Sequence, residues 1–235
     1  MFKGFFITGT DTGVGKTVIA GAVIKVMQSF GVKACAMKPI ESGCGKEGDM
    51  LIPYDGTFLK QAAHMDEPIK QVTPFCFESP LSPLAASEIE TRKISIDEIK
   101  KAYYKLYKSY EAIIVEGIGG LMVPIRKDYF ILDLAKEFSL PLLIVTKPGL
   151  GTINHTMLTV NYAIEAGLEV AGLIINYSRP PENSLAEKTN PQILEEICPV
   201  PVIGTFPYLK GMGEDVLEKT AMRNLDLEVL KKYIL

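Results

Sequence analysis

The segment Gly9-Thr10-Asp11-Thr12-Gly13-Val14-Gly15-Lys16-Thr17 decides the fold. The pattern G-x-x-x-x-G-K-[ST], entered from a strand and left through a helix, is a phosphate-binding loop. Phe5-Phe6-Ile7-Thr8 supplies the strand before it, and Val18-Ile19-Ala20-Gly21-Ala22-Val23 opens the helix after it. Such a loop works through a nest of backbone N–H groups and the positive end of the helix dipole, both aimed at phosphate oxygens. Gly13, Val14, Gly15 and Val18 belong to this cradle. Lys16 is expected to reach the outer phosphates of a nucleoside triphosphate, and the Thr17 hydroxyl to ligate Mg²⁺. One feature departs from the pattern: Gly9 precedes Gly15 by six positions, so Thr10 stands in the first-glycine slot.

Outward from the loop, short β-branched runs alternate with longer helical patterns, the signature of a parallel sheet with crossover helices. Strands are expected at Gly4–Thr8, Ala34–Lys38, Ala112–Glu116, Leu142–Thr146, Ala171–Asn176 and Val202–Gly204. Several are almost continuously apolar, as strands buried on both faces must be. Helices are expected at Gly15–Phe30, Ile96–Tyr107, Ile131–Phe138, Thr152–Ala166 and Pro191–Ile197, with Gly31 and Gly167 placed to end two of them. Glu41–Gly56 and Tyr177–Pro191 read as long functional loops. The expectation is an α/β fold of the phosphate-loop NTPase kind, a parallel sheet flanked by helices in one domain over residues 1–235.

Composition narrows the partners. A chain of 235 residues is long enough to bury a sizeable core. A net charge of −3 argues against nucleic acid as a main partner. The apolar start Met1–Gly9 is too short for a signal peptide, and nowhere do about 18 apolar residues run together. No membrane association is expected, and the cytoplasm is the expected compartment. Cys35, Cys44, Cys76 and Cys198 form no Cys-x-x-Cys pair, and with only His64 and His155 beside them no zinc cluster suggests itself. Cys35 and Cys198 read as core residues, whereas Cys44 falls in a Gly-rich loop open to solvent.

Phosphoryl chemistry wants a carboxylate near the metal, delivered from a neighbouring strand end. Ala112-Ile113-Ile114-Val115-Glu116-Gly117-Ile118-Gly119-Gly120 offers one: an apolar strand, Glu116 at its C-terminal edge, then glycines that permit close approach. Ligands of such sheets lie beyond the carboxyl ends of the strands.

The extended loop Gly9–Thr17 closely resembles the opening of the dethiobiotin synthetases. Lys38-Pro39-Ile40-Glu41-Ser42-Gly43, Ser82-Pro83, Val115–Gly120 and Gly151-Thr152-Ile153-Asn154-His155-Thr156-Met157-Leu158-Thr159 match the same family in order and spacing. The resemblance covers roughly residues 1–209. It implies an ATP-dependent enzyme of biotin biosynthesis that closes the ureido ring of dethiobiotin from 7,8-diaminononanoate and CO₂ or bicarbonate, with Mg²⁺ and ATP or another NTP.

By the same resemblance, Lys16 and Lys38 are the catalytic cations, and Thr17, Asp55 and Glu116 hold the metal. Gly117, Ile118 and Gly119 border the nucleotide. Thr12, Ser42, Ser82 and Gly119 face the diamine or carbamate. Leu150, Gly151 and Asn154 form an anion-binding helix start for the substrate carboxylate, contributed by a second subunit, so a homodimer is implied. Asn176, Tyr177, Thr205, Phe206 and Pro207 stand where relatives hold the base. By spacing alone Lys38 is as readily an ordinary surface lysine; the resemblance moves it to the site, and Pro39 biases it toward extended backbone.

Two departures limit the transfer. Leu84 follows Ser82-Pro83 where many relatives carry His, and Gly45–Tyr54 differs, so Asp55 is placed by register alone. Neither the base preference nor a role for Lys210–Leu235 is encoded. Two other readings compete. A partitioning or cluster-carrier ATPase would carry a second lysine near Thr10–Thr12, which this chain lacks. A non-catalytic nucleotide binder would leave the Lys38–Ser42 segment and the Gly151 turn idle.

Overall fold

The computed structural model describes residues 3–235; Met1 and Phe2, at the head of the apolar start noted above, lie outside the described residues. From the amino end the chain runs β1 (Gly4–Gly9), α1 (Lys16–Ser29) and β2 (Ala34–Met37). An excursion follows: β3 (Ile40–Ser42), β4 (Gly45–Glu47), β5 (Met50–Ile52), α2 (Tyr54–Ala62), α3 (Ile69–Val72), β6 (Phe75–Phe77) and α4 (Pro83–Ile89). The main path resumes with α5 (Ile96–Tyr107), β7 (Ala112–Glu116), β8 (Pro124–Arg126), β9 (Tyr129–Phe130), α6 (Ile131–Phe138), β10 (Leu142–Thr146), α7 (Thr152–Glu165) and β11 (Val170–Asn176). It ends in α8 (Leu185–Ile197), β12 (Val202–Phe206), α9 (Glu214–Asn224) and α10 (Leu227–Ile234).

Six strands form a parallel sheet in the order β12-β11-β10-β1-β7-β2. β1, β7 and β10 are buried along their whole length, which is why their sequences are so uniformly apolar. From β1 the chain leaves toward β2 on one side, and from β7 it crosses back over β1 to β10. The order therefore reverses at β1, and the phosphate loop emerges there, at the switch point where such sheets bind ligands. Gly31 and Gly167 end their helices at φ 76° and 80°, as expected.

Within the excursion the sequence reads Glu41–Gly56 as one loop, and the structure corrects this. Glu41–Gly56 holds β3, a β4–β5 hairpin and the first turn of α2, with β3 paired in parallel to β6. Cys44 is buried there rather than exposed; its N–H donates to the Phe77 carbonyl and its thiol to the Glu41 carbonyl.

The other expected loop, Tyr177–Pro191, is also shorter than predicted, because α8 starts at Leu185 and carries Pro191 inside it. Ser184 and Glu187 form a reciprocal capping box that starts the helix. An internal proline removes the N–H that would bond the carbonyl four residues back, here Glu187. The Tyr177 hydroxyl donates to that carbonyl at 3.2 Å and satisfies it. Smaller shifts at element ends follow the same pairing: β12 runs on to Phe206 because Asn176 pairs with Phe206, and β2 stops at Met37, which leaves Lys38 just beyond the sheet edge.

Candidate functional site

Lys38 is the hub of the site. Its ammonium donates to Glu116 Oε1 at 2.5 Å and to the Gly117 carbonyl at 3.3 Å, and pairs with Asp55 Oδ2 at 3.1 Å. The Thr17 hydroxyl donates to the same Glu116 oxygen at 3.0 Å. Lys38 and Glu116 are both buried, while the Asp55 side chain is 41% exposed. Three separate elements thus converge: the end of β2, the end of β7 and the first turn of α2, against the first turn of α1. Burial opposes charge on both members of the pair. It pushes the Glu116 carboxyl up, with Lys38 resisting. For Lys38, the Glu116 and Asp55 carboxylates outweigh burial and hold the ammonium above the ordinary lysine range.

Lys16 has the opposite balance. Burial, together with Lys38, lowers it to about 8, and its ammonium donates to the Asp11 carbonyl of its own loop at 3.2 Å. Lys16 makes no ion pair of its own among the described residues, so the cradle presents a cation to an arriving polyanion. Glu116 Oε2 is buried and has no hydrogen-bond partner among the described residues. An orphaned carboxylate oxygen is costly unless a cation takes it. Two carboxylates and a hydroxyl suit Mg²⁺, which keeps several waters and phosphate oxygens in its shell. Among the described residues no group of three or more His, Cys, Asp or Glu side chains could cage a metal alone.

Of the remaining expected residues, Asn176 donates through Nδ2 to the Val14 carbonyl at 2.7 Å and so ties the end of β11 to the phosphate loop. Gly15 makes that approach possible: its φ is 88°, and a Cβ there would sit 2.1 Å from Asn176 Nδ2. A cavity of about 520 Å³ opens beside it, lined by Thr12, Gly13, Lys147, Asn176, Tyr177 and Arg179 among others. Thr205 and Phe206 pair with Ile175 and Asn176 on the next strand, and Pro207 follows.

Gly149 and Leu150 line the same cavity, and Gly151 after them caps α7 in left-handed conformation, with no side-chain cap bond among the described residues. Leu150 beside it is 89% exposed. A smaller, mostly apolar groove of about 300 Å³ runs past Thr10, Gly120, Met122, Leu158 and Tyr162. Ser82 uses its hydroxyl to cap α4, and Ser42 ends β3; neither is bonded to the Lys38 cluster among the described residues.

Comparison with known proteins fits this geometry. A family model described as an AAA domain matches residues 3–215. The ATP-dependent dethiobiotin synthetase BioD of Thermodesulfovibrio yellowstonii is 46% identical over 237 residues, covering 98% of this chain and 99% of its own. That of Bacillus subtilis is 36% identical over 233 residues, covering 99% of each. The chain belongs to the ATP-dependent dethiobiotin synthetases. Among solved structures, the MinC:MinD cell division protein complex of Aquifex aeolicus is similar with a TM-score of 0.57 at 15% identity, covering 98% of this chain and 95% of that one. MinD of Pyrococcus horikoshii, complexed with Mg-ADP, gives 0.55 at 16% identity over 99% and 96%. At such identities the likeness is one of fold: a phosphate-loop NTPase sheet.

In this synthetase the threonine in the first-glycine slot has a structural reason. Thr10 N–H donates to the Val145 carbonyl at 3.0 Å, and its hydroxyl lies 2.9 Å from that of Thr146. Thr146 is in turn 2.7 Å from the Thr152 hydroxyl and accepts from Thr156 at 2.9 Å. All three are fully buried. A buried hydroxyl needs partners, and Thr10 completes the set while joining the phosphate loop to β10 and α7.

Sequence reasoning missed three further residues of the synthetase site. Lys147 pairs with Asp11 Oδ2 at 3.6 Å at the mouth of the loop. Asn190 donates to the Pro148 and Gly149 carbonyls at 2.8 and 3.0 Å, holding the turn before α7. Glu41 braces α2. Only Glu41 carried a visible signal, its place in the Lys38–Gly43 motif.

Proposed function

We propose that the chain closes the ureido ring of dethiobiotin from 7,8-diaminononanoate and CO₂ at the expense of ATP, in one catalytic domain spanning residues 1–235. The observation that carries this reading is the buried Lys38–Glu116 pair, with Thr17 and Asp55 bonded to it, at the mouth of the phosphate loop in a member of this family. One amine of the diamine takes up CO₂ as a carbamate. A carbamate oxygen then attacks the γ-phosphorus, the bond to the bridging oxygen breaks, and ADP leaves. The second amine attacks the carbonyl carbon of the resulting carbamic–phosphoric anhydride, loses its proton and expels inorganic phosphate as the ring closes.

The difficult step brings two anions together, so positioned cations are what the reaction needs. Lys38, kept protonated by Glu116 and Asp55, and Lys16 in the cradle supply them. No protein nucleophile is required; positioning and electrostatics suffice. Thr17, Asp55 and Glu116 would hold Mg²⁺, which when bound neutralises charge on the outer phosphates. The cradle of Gly13, Val14, Gly15 and Val18 takes the phosphates, with the Gly117–Gly119 backbone beside them. Asn176, Tyr177, Thr205, Phe206 and Pro207 border the base.

Thr12, Ser42, Ser82 and Gly119 are assigned to the diamine end, and Leu150, Gly151 and Asn154 of a second subunit to its carboxylate. The uncapped start of α7 supports the carboxylate site, since free helix N–H groups attract anions. The exposed Leu150, Met122 and Leu158 support a homodimer, because apolar side chains this open favour burial against a partner. The cytoplasm is proposed as the compartment, on the ATP the reaction consumes.

The test is product analysis. With ¹³C-bicarbonate, the diamine, ATP and Mg²⁺, mass spectrometry should find dethiobiotin carrying the label, and EDTA should abolish it. Unlabelled or absent product would overturn the ring-closure reading. Sedimentation at the monomer mass would overturn the dimer.

A further inference from the structure

Helix α2 begins without a cap of its own. Pro53 stands at its N-cap position, and no side chain there bonds the first turn. The cap comes instead from Glu41, some dozen residues back on β3. Glu41 Oε1 accepts from the Asp55 N–H and Oε2 from the Gly56 N–H, each at 2.9 Å.

Glu41 is only 5% exposed, and an ionised carboxylate so placed is unfavourable without strong compensation. Burial pushes its carboxyl above the usual range, and two charge-assisted N–H bonds, the positive end of α2 and the nearby Lys38 ammonium oppose that shift. The fit is tight. A Cβ on Gly56 would lie 1.9 Å from Thr73 Oγ1, so only glycine lets the turn settle onto the carboxylate. What this brace holds is the backbone of Asp55. The Asp55 side chain is 41% exposed and touches the cluster through Lys38, so that single contact does little to fix it against solvent.

We propose that Glu41 is a positioning residue for the metal site. By clamping the Asp55 and Gly56 N–H groups, it holds the Asp55 carboxylate beside Lys38, where Mg²⁺ and the triphosphate arrive together. Glu41 itself touches neither. The stretch Lys38–Ser42 thus carries a catalytic lysine and the brace for the acid opposite it. The proposal rests on the reading of Asp55 as a metal ligand, and its test separates the two.

Glu41→Ala, Glu41→Gln and Asp55→Asn are compared with the parent full-length enzyme. Mn²⁺ affinity in the presence of ADP is read by electron paramagnetic resonance, metal-free ADP affinity by calorimetry, and Asp55 and Gly56 amide protection by hydrogen exchange. Glu41→Ala should weaken Mn²⁺ by about 10–100-fold, the usual effect of losing a residue that orients a ligand. Metal-free ADP affinity should stay level, and both amides should exchange faster. Glu41→Gln keeps one acceptor and the side-chain volume, so it should fall between and remain folded if the alanine variant does not. Unchanged Mn²⁺ affinity in Glu41→Gln and Glu41→Ala, with a loss in Asp55→Asn, overturns the proposal and leaves Asp55 a ligand. Unchanged affinity in Asp55→Asn overturns the ligand assignment and the proposal with it.

Discussion

The two ends of the nucleotide site are built on different principles. At the phosphate end, Lys38, Glu116 and Thr17 are held by direct bonds between elements adjoining the central sheet, and the two charged groups are buried. At the proposed base end, Asn176 bonds the phosphate loop through the Val14 carbonyl and Lys147 pairs with Asp11, and beside them Arg179–Asn183 runs open to solvent along a cavity. The first end stabilises charge and must be rigid before the substrate arrives. The second, in the proposed reading, borders the base, and its work is binding. Chemistry and affinity should therefore separate when the two ends are perturbed.

The largest effect is expected from Lys38→Gln. Losing a positioned cation at the reacting oxygens should cost turnover roughly 10²–10³-fold, with the fold retained by circular dichroism. It should also leave Glu116 buried without its counter-charge, a loss on the order of 3–5 kcal/mol where the acid stays ionised. The sign with pH follows. An acid whose folded pKa is raised is stabilising while protonated, and that stability is lost as pH rises above its unfolded value near about 4.3. Glu116 is already raised by burial, and without Lys38 it is raised further. Denaturation of Lys38→Gln should show a deficit that grows with pH, and Lys38→Gln/Glu116→Gln should remove that slope without restoring turnover. A flat pH profile in the single variant would mean that the pair is not coupled.

Gly15→Ala comes next, because it strikes the junction of the two ends. A left-handed φ of 88° and a Cβ 2.1 Å from Asn176 Nδ2 leave the substitution nowhere to go. A cost of about 1–3 kcal/mol, seen in urea denaturation together with weakened nucleotide binding, is expected. An unaffected variant would show that the Asn176 contact is not fixed.

Asn176→Ala should have the smallest effect and the most selective one. The bond to the Val14 carbonyl is lost, so KM for ATP should rise several-fold, about what one buried hydrogen bond contributes. Saturated turnover should stay near the parent value, as removal of uniform binding predicts. An equal fall in kcat would place Asn176 with the chemistry and erase the distinction between the two ends.

The same contrast governed what could be read from sequence. The phosphate loop, the apolar strands and Glu116 were legible because backbone geometry and burial impose narrow residue choices. Lys38 was not legible by spacing, since a lysine after a strand is common, and only the family pattern singled it out. The β4–β5 hairpin escaped notice because three-residue strands leave too short a period to detect. The start of α8 was missed because Pro191 was weighed as a helix start, while the Ser184–Glu187 capping box went unread. Asn190 and Lys147 act through contacts with residues distant in the sheet order or the chain, and no local pattern marks such contacts.

Whether the buried Lys38–Glu116 ion pair serves ring closure, and not general nucleotide hydrolysis, is tested most directly by the stoichiometry of nucleotide turnover. Purified protein with Mg²⁺ and ATP should release ADP only when 7,8-diaminononanoate and bicarbonate are both present, one ADP per dethiobiotin formed. ADP release at the same rate without the diamine would contradict the ring-closure role.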